Sequence, residues 1–170
     1  KEARGVPIEL HTHGMSTYQG LVVVEAMKMG VERVHTCVPP LASGSSHISI
    51  FNAMHNARVL GLEHNITNPE ALKIAEERLT RIARLEDLPI GVPLEYDHGV
   101  YRHQIPGGVI SNLKAQLAQL GIGDKLDEVL EEVVRIIDDL GHPIMITPAS
   151  QFIVSQAAVN VAIGERYKEV

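Results

Sequence analysis

Residues 6–30 read VPIELHTHGMSTYQGLVVVEAMKMG. Val6 to Thr12 is β-like and predicts a strand that runs into His11 and His13. Gln19 to Met29 reads as a helix, and Gly30 stands where a left-handed residue ends one. The same order follows at once. Glu32 to Val38, with RVHTCV at its heart, predicts a second strand, ended by Pro39-Pro40. A small-residue loop, Ala42 to Ser46, leads to a helix from about Ile48 to Leu60 with Gly61 behind it. Leu62 to Ile66 is expected to be a third, short strand. Strand and helix in alternation point to an α/β fold with a parallel sheet.

Beyond residue 68 the pattern becomes helical. Asn68-Pro69-Glu70 combines a capping side chain, proline at the first helical position and an early acid. Leu72, Ala75, Leu79, Ile82 and Leu85 then recur at helical spacing. A Pro- and Gly-containing loop, Asp87 to Gly99, separates this helix from three more, near Ser111–Leu120, Asp124–Leu140 and Ser150–Ala162. The middle one should bury a stripe of Leu126, Val129, Leu130, Val133, Ile137 and Leu140. The expected division is 1–68 for the βα units and 69–170 for a mainly helical extension. About three βα units close no barrel, and an open parallel sheet needs its faces and edges covered. The chain therefore reads as the end of a larger α/β architecture.

Composition narrows the function. The chain has 170 residues, 45% of them hydrophobic, with a formal charge of −6 from scattered acids. That charge argues against nucleic-acid binding, which needs a basic surface. No apolar run reaches the length of a membrane span. A single cysteine, Cys37, forms no internal disulfide, and with no signal-like stretch at the start a cytoplasmic protein is expected. The chain opens KEARGVPIEL without an initiating methionine, so a piece of a longer protein is expected. Aromatic residues are only 4% of the total, so the core must be aliphatic.

Four groups of residues can carry chemistry. His11 and His13 alternate along a strand and so present two imidazoles to one side, near the strand's C-terminal end. They are either metal ligands or polar strand-end histidines, and a metal would need further ligands. Glu9 shares that face. His35 and Cys37 alternate in the same way on the next strand, either as metal donors or with Cys37 as a small buried hydrophobe. The loop 42–46 offers backbone amides for an anion, or Ser45 or Ser46 as a cap for the helix behind it. Thr147-Pro148 opens the last helix, where the threonine is a cap or a hydroxyl held ready to pass a proton.

IELHTH, QIPGGVISNL and ITPASQ, in this order and spacing, resemble the carboxyltransferase domain of biotin-dependent enzymes. That family includes pyruvate carboxylase, the oxaloacetate decarboxylase α subunit and the corresponding transcarboxylase subunit. The resemblance covers essentially the whole chain and is closest to the decarboxylase branch. It implies the C-terminal part of a TIM-type barrel, with 1–68 as its last βα units and 69–170 as the helical extension. It implies that His11 and His13 bind a divalent metal (zinc, manganese or cobalt), with an aspartate and a carbamylated lysine from earlier strands outside this chain. It implies that Thr147 shuttles the proton, which reverses the local preference for a cap. It further implies carboxyl transfer between a 2-oxo acid, of the pyruvate or oxaloacetate type, and biotin carried on a separate domain or subunit. The missing barrel strands would come in cis or from another chain, and a homo-oligomer is expected, peripheral to a membrane complex in the decarboxylase case.

Three positions depart from the family pattern. Gly14 stands where an acid commonly follows the histidines, His35 stands for an aspartate, and His47 stands where glutamine or histidine occurs. They leave the acceptor acid open. Two other readings stay in view: a metal-dependent aldolase-type lyase or synthase of the isopropylmalate synthase group, which lacks the IPGG and TPxSQ segments, and a non-catalytic assembly fragment.

Overall fold

The computed structural model describes residues 5–15 and 17–170. Residues 1–4, counted above in the first part of the chain, lie outside that description. The chain forms two compact units, Lys1–Tyr96 and Asp97–Val170.

In the first unit, β1 (Glu9–Leu10) and β2 (Arg33–Val34) pair in parallel, with Glu9 opposite Arg33 and Leu10 opposite Val34. The helix between them, α1 (Gln19–Lys28), makes this a βα crossover of the expected kind. It ends as the sequence indicates: Gly30 adopts φ +84°, and the Gly30 and Val31 amides donate to the Met27 and Ala26 carbonyls. After β2 the chain makes one isolated parallel bridge, Cys37 to Ser49, before α2 (Ile50–Val59). Because the backbone around Ser49 is drawn into that bridge, Ser49 caps α2 through its hydroxyl, accepting from the Phe51 amide at 3.3 Å. The expected cap at Ser45 or Ser46 lies too early.

Both strands are much shorter than the sequence pattern suggests. Val6 is 67% exposed and Ile8 46%, so the apolar run that signals a strand is uncovered here. Residues 62–66 form no third strand. A strand needs a neighbour to complete its hydrogen bonds, and among the described residues β2 pairs only with β1. Leu62 and Ile66 instead line an open groove with Met27, Val34, Ile50 and Met54. Helix α3 (Pro69–Leu85) begins as expected, with Asn68 Oδ1 accepting from the Ala71 amide at 3.1 Å. Its expected apolar stripe is poorly covered, with Leu85 74% exposed and Ile82 39%, and the buried residue of α3 is Ala83, off that stripe. The segment behind α3 folds onto the loop 40–44. The Gly91 amide donates to the Pro40 carbonyl, and a Cβ on Gly91 would sit 2.0 Å from the Ala42 carbonyl oxygen. Only glycine allows that approach.

The second unit is helical. A short turn of helix, α4 (Val100–His103), precedes α5 (Gly107–Gln119), α6 (Leu126–Asp139) and α7 (Ala149–Ile163). Helix α5 starts four residues before the expected Ser111. Pro106 sits at the N-cap in extended backbone, and its carbonyl accepts from the Val109 and Ile110 amides. Glycine costs little in a first turn, and buried Gly107 lets the helix begin inside the unit. His103 supports this entry, its Nδ1 accepting from the Ile105 amide at 3.1 Å. Burial pushes its pKa below the usual histidine value, against the opposing charge of Asp97. Leu113 and Leu117 of α5, Val129, Val133, Ile136 and Ile137 of α6, and Ile153, Val154 and Ala157 of α7 form the aliphatic core.

The stripe expected on α6 is turned slightly. Leu140 is exposed, while Ile136 and the charged Glu132 face inward. Glu132 is held by Asn160 Nδ2 at 2.7 Å and Arg166 Nε at 2.6 Å, with Arg135 Nη1 at 3.4 Å. Arg166 also reaches Asp139 at 2.6 Å, which the Tyr167 hydroxyl contacts as well. The residues after α7 are thereby tied back onto α6. Burial raises the Glu132 pKa, but the hydrogen bonds from Arg166 and Asn160 and the charges of Arg166 and Arg135 outweigh it and leave the carboxyl below its ordinary value of 4.5. A depressed carboxylate stabilises the fold above its unfolded pKa and loses that contribution as pH falls through the folded value. Glu132→Ala should therefore cost on the order of 3 kcal/mol, because it strands Arg166 and Asn160. Chemical denaturation at neutral pH checks this, and the difference between wild type and variant should shrink as the medium is acidified below pH 4.5. An unchanged midpoint would mean that Glu132 holds nothing together.

Candidate metal centre

The first unit brings four histidines together. His11 and His13 follow β1 directly, and His35 follows β2, its amide donating to the Leu10 carbonyl at 2.9 Å. The parallel register thus sets His35 beside His11. His47 arrives from the loop after the second strand segment. That loop is fixed on both sides of His47: the Ser43 amide donates to the His47 carbonyl, and the Cys37 amide to the Ile48 carbonyl. It also closes onto the first strand segment, where the Gly14 amide donates to the Ser46 carbonyl at 2.8 Å. The four rings lie edge to face or tilted, with centroids 4.5 Å apart for His11 and His47, 4.8 Å for His13 and His47, and 5.0 Å for His11 and His35.

Each outer contact of the cluster fixes a proton. A carbonyl oxygen only accepts, so His13 Nδ1–H donates to Ser45 O and His47 Nδ1–H donates to Thr12 O, both at 2.7 Å. In the neutral rings this leaves both Nε2 atoms with free lone pairs. The Glu9 carboxylate takes the Nε2–H of His35, so a neutral His35 offers Nδ1 as an acceptor. His11 Nδ1, 2.8 Å away, must then donate to it. His11 Nε2 is left as a lone pair, and it faces the lone pair of His13 Nε2 at 3.2 Å. Two lone pairs at that distance repel unless a positive charge lies between them. The donor set suits a metal ion, since neutral imidazole is a good ligand for zinc and related divalent metals. Among the described residues, one nitrogen each of His11, His35 and His47 also lies within 4.8 Å of the others. The pKa of His11 is lowered, first by loss of solvent and then by its neighbours His47, His13 and His35, with Glu9 opposing them. The cluster thus favours the uncharged, ligating form of that ring.

The other residues singled out in the sequence fall elsewhere. Cys37 is half-buried, and its sulfur lies 3.3 Å from Ser46 Oγ, outside the histidine set. The loop 42–46 spends amides on itself, Ser43 on His47 O and Ser46 on Ser43 O. Thr147 belongs to the second unit, exposed in the turn before α7. Pro148 occupies the cap position of α7, and no side chain caps that helix, so the local reading of Thr147 as a cap is not met. His47 stands out in the sequence only as a departure at one position, because nothing in the spacing of a loop histidine tells which strand it will face.

Gly14 explains one departure from the family pattern. A Cβ there would lie 2.7 Å from the Gly44 carbonyl oxygen and 3.0 Å from Gln19 Oε1. The side-chain amide of Gln19 in turn donates to Thr12 O at 2.7 Å and Ser46 O at 3.1 Å. Gly14→Ala should push the loop 43–47 away from β1 and cost about 1–3 kcal/mol. Wild-type stability and unchanged His47 ring resonances in NMR spectra of Gly14→Ala would contradict this.

The comparisons with known proteins agree with the fold. Residues 100–170 match the conserved carboxylase domain of the PYC_OADA family. The chain is 37% identical to the 2-oxoglutarate carboxylase large subunit of Hydrogenobacter thermophilus over all of its own length and 26% of that protein. It is 32% identical to a pyruvate carboxylase subunit of Methanocaldococcus jannaschii, over 99% of the chain and 30% of that protein. It thus spans less than a third of these relatives. Among solved structures, the carboxyl transferase domain of Rhizobium etli pyruvate carboxylase with pyruvate superposes with a TM-score of 0.78 at 23% identity, over 97% of the chain and 28% of that structure. Over its whole length the chain is thus similar to a part of these carboxylase subunits, and its fold is that of a part of the carboxyl transferase domain.

Proposed function

We propose that the protein carrying this chain transfers a carboxyl group between carboxybiotin and a 2-oxo acid, at a divalent-metal site to which His11 and His13 contribute. The observation that carries this reading is the pair of Nε2 atoms 3.2 Å apart, with His13 Nδ1–H donating to Ser45 O and His11 Nδ1 paired with His35 Nδ1. Residues 1–68 supply the last βα units of a TIM-type barrel in this reading, and 69–170 its helical extension. The exposed apolar run of Val6 and Ile8 and the groove beside β2 fit strands that other parts of the protein, in cis or in a second chain, would cover.

Zinc, manganese or cobalt bound there would act as a Lewis acid toward the carbonyl of the 2-oxo acid. The chain's own residues do the rest. Ser45 O holds the His13 ring, and Glu9 through His35 holds the His11 ring, so the ligand atoms need little rearrangement. The Thr147 hydroxyl moves a proton: it receives one from the substrate carbon that gains the carboxyl group and delivers one to the biotin nitrogen that loses it. A hydroxyl is a poor acid or base alone, but it can relay a proton in concert between two partners within hydrogen-bond reach. Biotin comes on a carrier domain or subunit, and a homo-oligomer in the cytoplasm is the expected setting. Among the described residues no helix is long and apolar enough to cross a membrane. The aldolase-type reading requires no biotin, and the relatives named above are carboxylases, which does not favour it.

Thr147→Ala in the intact enzyme should nearly abolish carboxyl transfer while metal content stays that of wild type. Since no side chain caps α7, the substitution should change stability by less than about 0.5 kcal/mol. Thr147→Ser should keep much of the turnover. Wild-type turnover in the alanine variant would remove Thr147 from the reaction, and activity that survives avidin treatment would remove biotin from it.

A further inference from the structure

We propose that His47 is a third imidazole ligand of the ion, its Nε2 joining those of His11 and His13, and that His35 with Glu9 is a positioning pair that sets the tautomer of His11. This rests on the reading of His11 and His13 as metal ligands and goes beyond it. The resemblance implies two imidazoles at the ion, and this chain has grounds for three.

His47 is the only one of the four rings whose outer nitrogen bonds to the peptide between the two strand histidines, through Nδ1–H to Thr12 O at 2.7 Å. That bond places the His47 ring over the pair, 4.5 Å from the His11 centroid and 4.8 Å from that of His13. It also leaves Nε2 as the ring's only base. The loop cannot easily withdraw the ring, because backbone hydrogen bonds hold it at Ser43, Ser46 and Ile48. One nitrogen of His35 also lies within 4.8 Å of one each of His11 and His47, but its outer nitrogen meets the Glu9 carboxylate and the other faces His11 Nδ1. Its centroid lies 6.0 Å from that of His47. A carboxylate–imidazole pair behind a ligating imidazole is the usual way a ring is oriented and made more basic toward a metal. The chain Glu9–His35–His11 has that form, with an imidazole in the middle. Three imidazoles on one face leave positions open for further protein ligands and for substrate.

The test uses the intact protein that carries this chain, stripped of metal and titrated with Co2+, whose visible absorption bands report the ligand set. His13→Ala serves as the control and should lose the ion. His47→Gln keeps an amide that can donate to Thr12 O, so the loop stays in place while the imidazole is lost; thermal melting checks the fold. His47→Gln should weaken Co2+ binding by more than about tenfold and shift the absorption bands. His35→Ala should weaken binding about tenfold, as an outer partner does, and leave the bands where they are. If His13→Ala loses the ion but His47→Gln binds it with wild-type affinity and bands, His47 is only a clamp on Thr12 and the proposal is overturned. If the bands shift in His35→Ala and not in His47→Gln, the two roles are reversed and the proposal is equally overturned. A His13→Ala protein that binds Co2+ like wild type refutes the underlying reading of the strand histidines, and the assignment of His47 falls with it.

Discussion

The hydrogen bond from His13 Nδ1 to the carbonyl of Ser45 does more than orient one ring. It ties the end of the first strand segment to a loop 32 residues further along the chain. Around it the Gly14 amide meets Ser46 O, Gln19 bridges Thr12 O and Ser46 O, and His47 closes back onto Thr12 O. The peptide carbonyls of a loop and a strand end thus take up the Nδ1 protons of two imidazoles and turn both Nε2 atoms inward. Remove that closure and the four histidines become separate polar side chains on a short sheet. The tight contact at Gly14 is part of the same constraint, since any side chain there would force the loop outward.

Much of this was legible in the sequence, and the reasons differ by element. The crossover of β1, α1 and β2 could be read because alternation, a helical run and Gly30 are local signals, and parallel pairing follows from a helical connection. His11 and His13 could be read as a pair because strand alternation is local too. Strand length could not be read. VPIEL and RVHTCV carry the composition of strands with neighbours on both sides, yet among the described residues VPIEL pairs only with Arg33–Val34, and RVHTCV adds to that pairing only a single bridge from Cys37 to Ser49, so the ladder is short. The third strand fails for the same reason. His47 was hidden because loop residues carry no periodicity, and its position is set by the Cys37–Ser49 bridge and the Ser43 turn, which are long-range or irregular.

The helical unit shows the complementary limit. The heptad-like stripe on α6 located the core to within one residue column, but hydropathy alone ranked Leu140 inside and Glu132 outside. The order is inverted because Asn160 and Arg166, far along the chain, meet the carboxylate and make its burial tolerable. The start of α5 at Gly107 was missed for a related reason. Glycine pairs read as breakers, and only the preceding Pro106 carbonyl, which accepts two amides, converts them into a first helical turn. Thr147 does lie in the turn before α7, but Pro148 rather than the threonine holds the cap position.

The central claim is that the cluster converges its lone pairs on one cation. Anomalous diffraction at the absorption edge of the bound metal, from crystals of the intact protein, tests it most directly. The account predicts a single peak about 2.1 Å from both His11 Nε2 and His13 Nε2, with Glu9 still on His35 and Ser45 O still on His13. A peak elsewhere, or none at these rings with His11 donating its own Nε2 proton to His13, would contradict it.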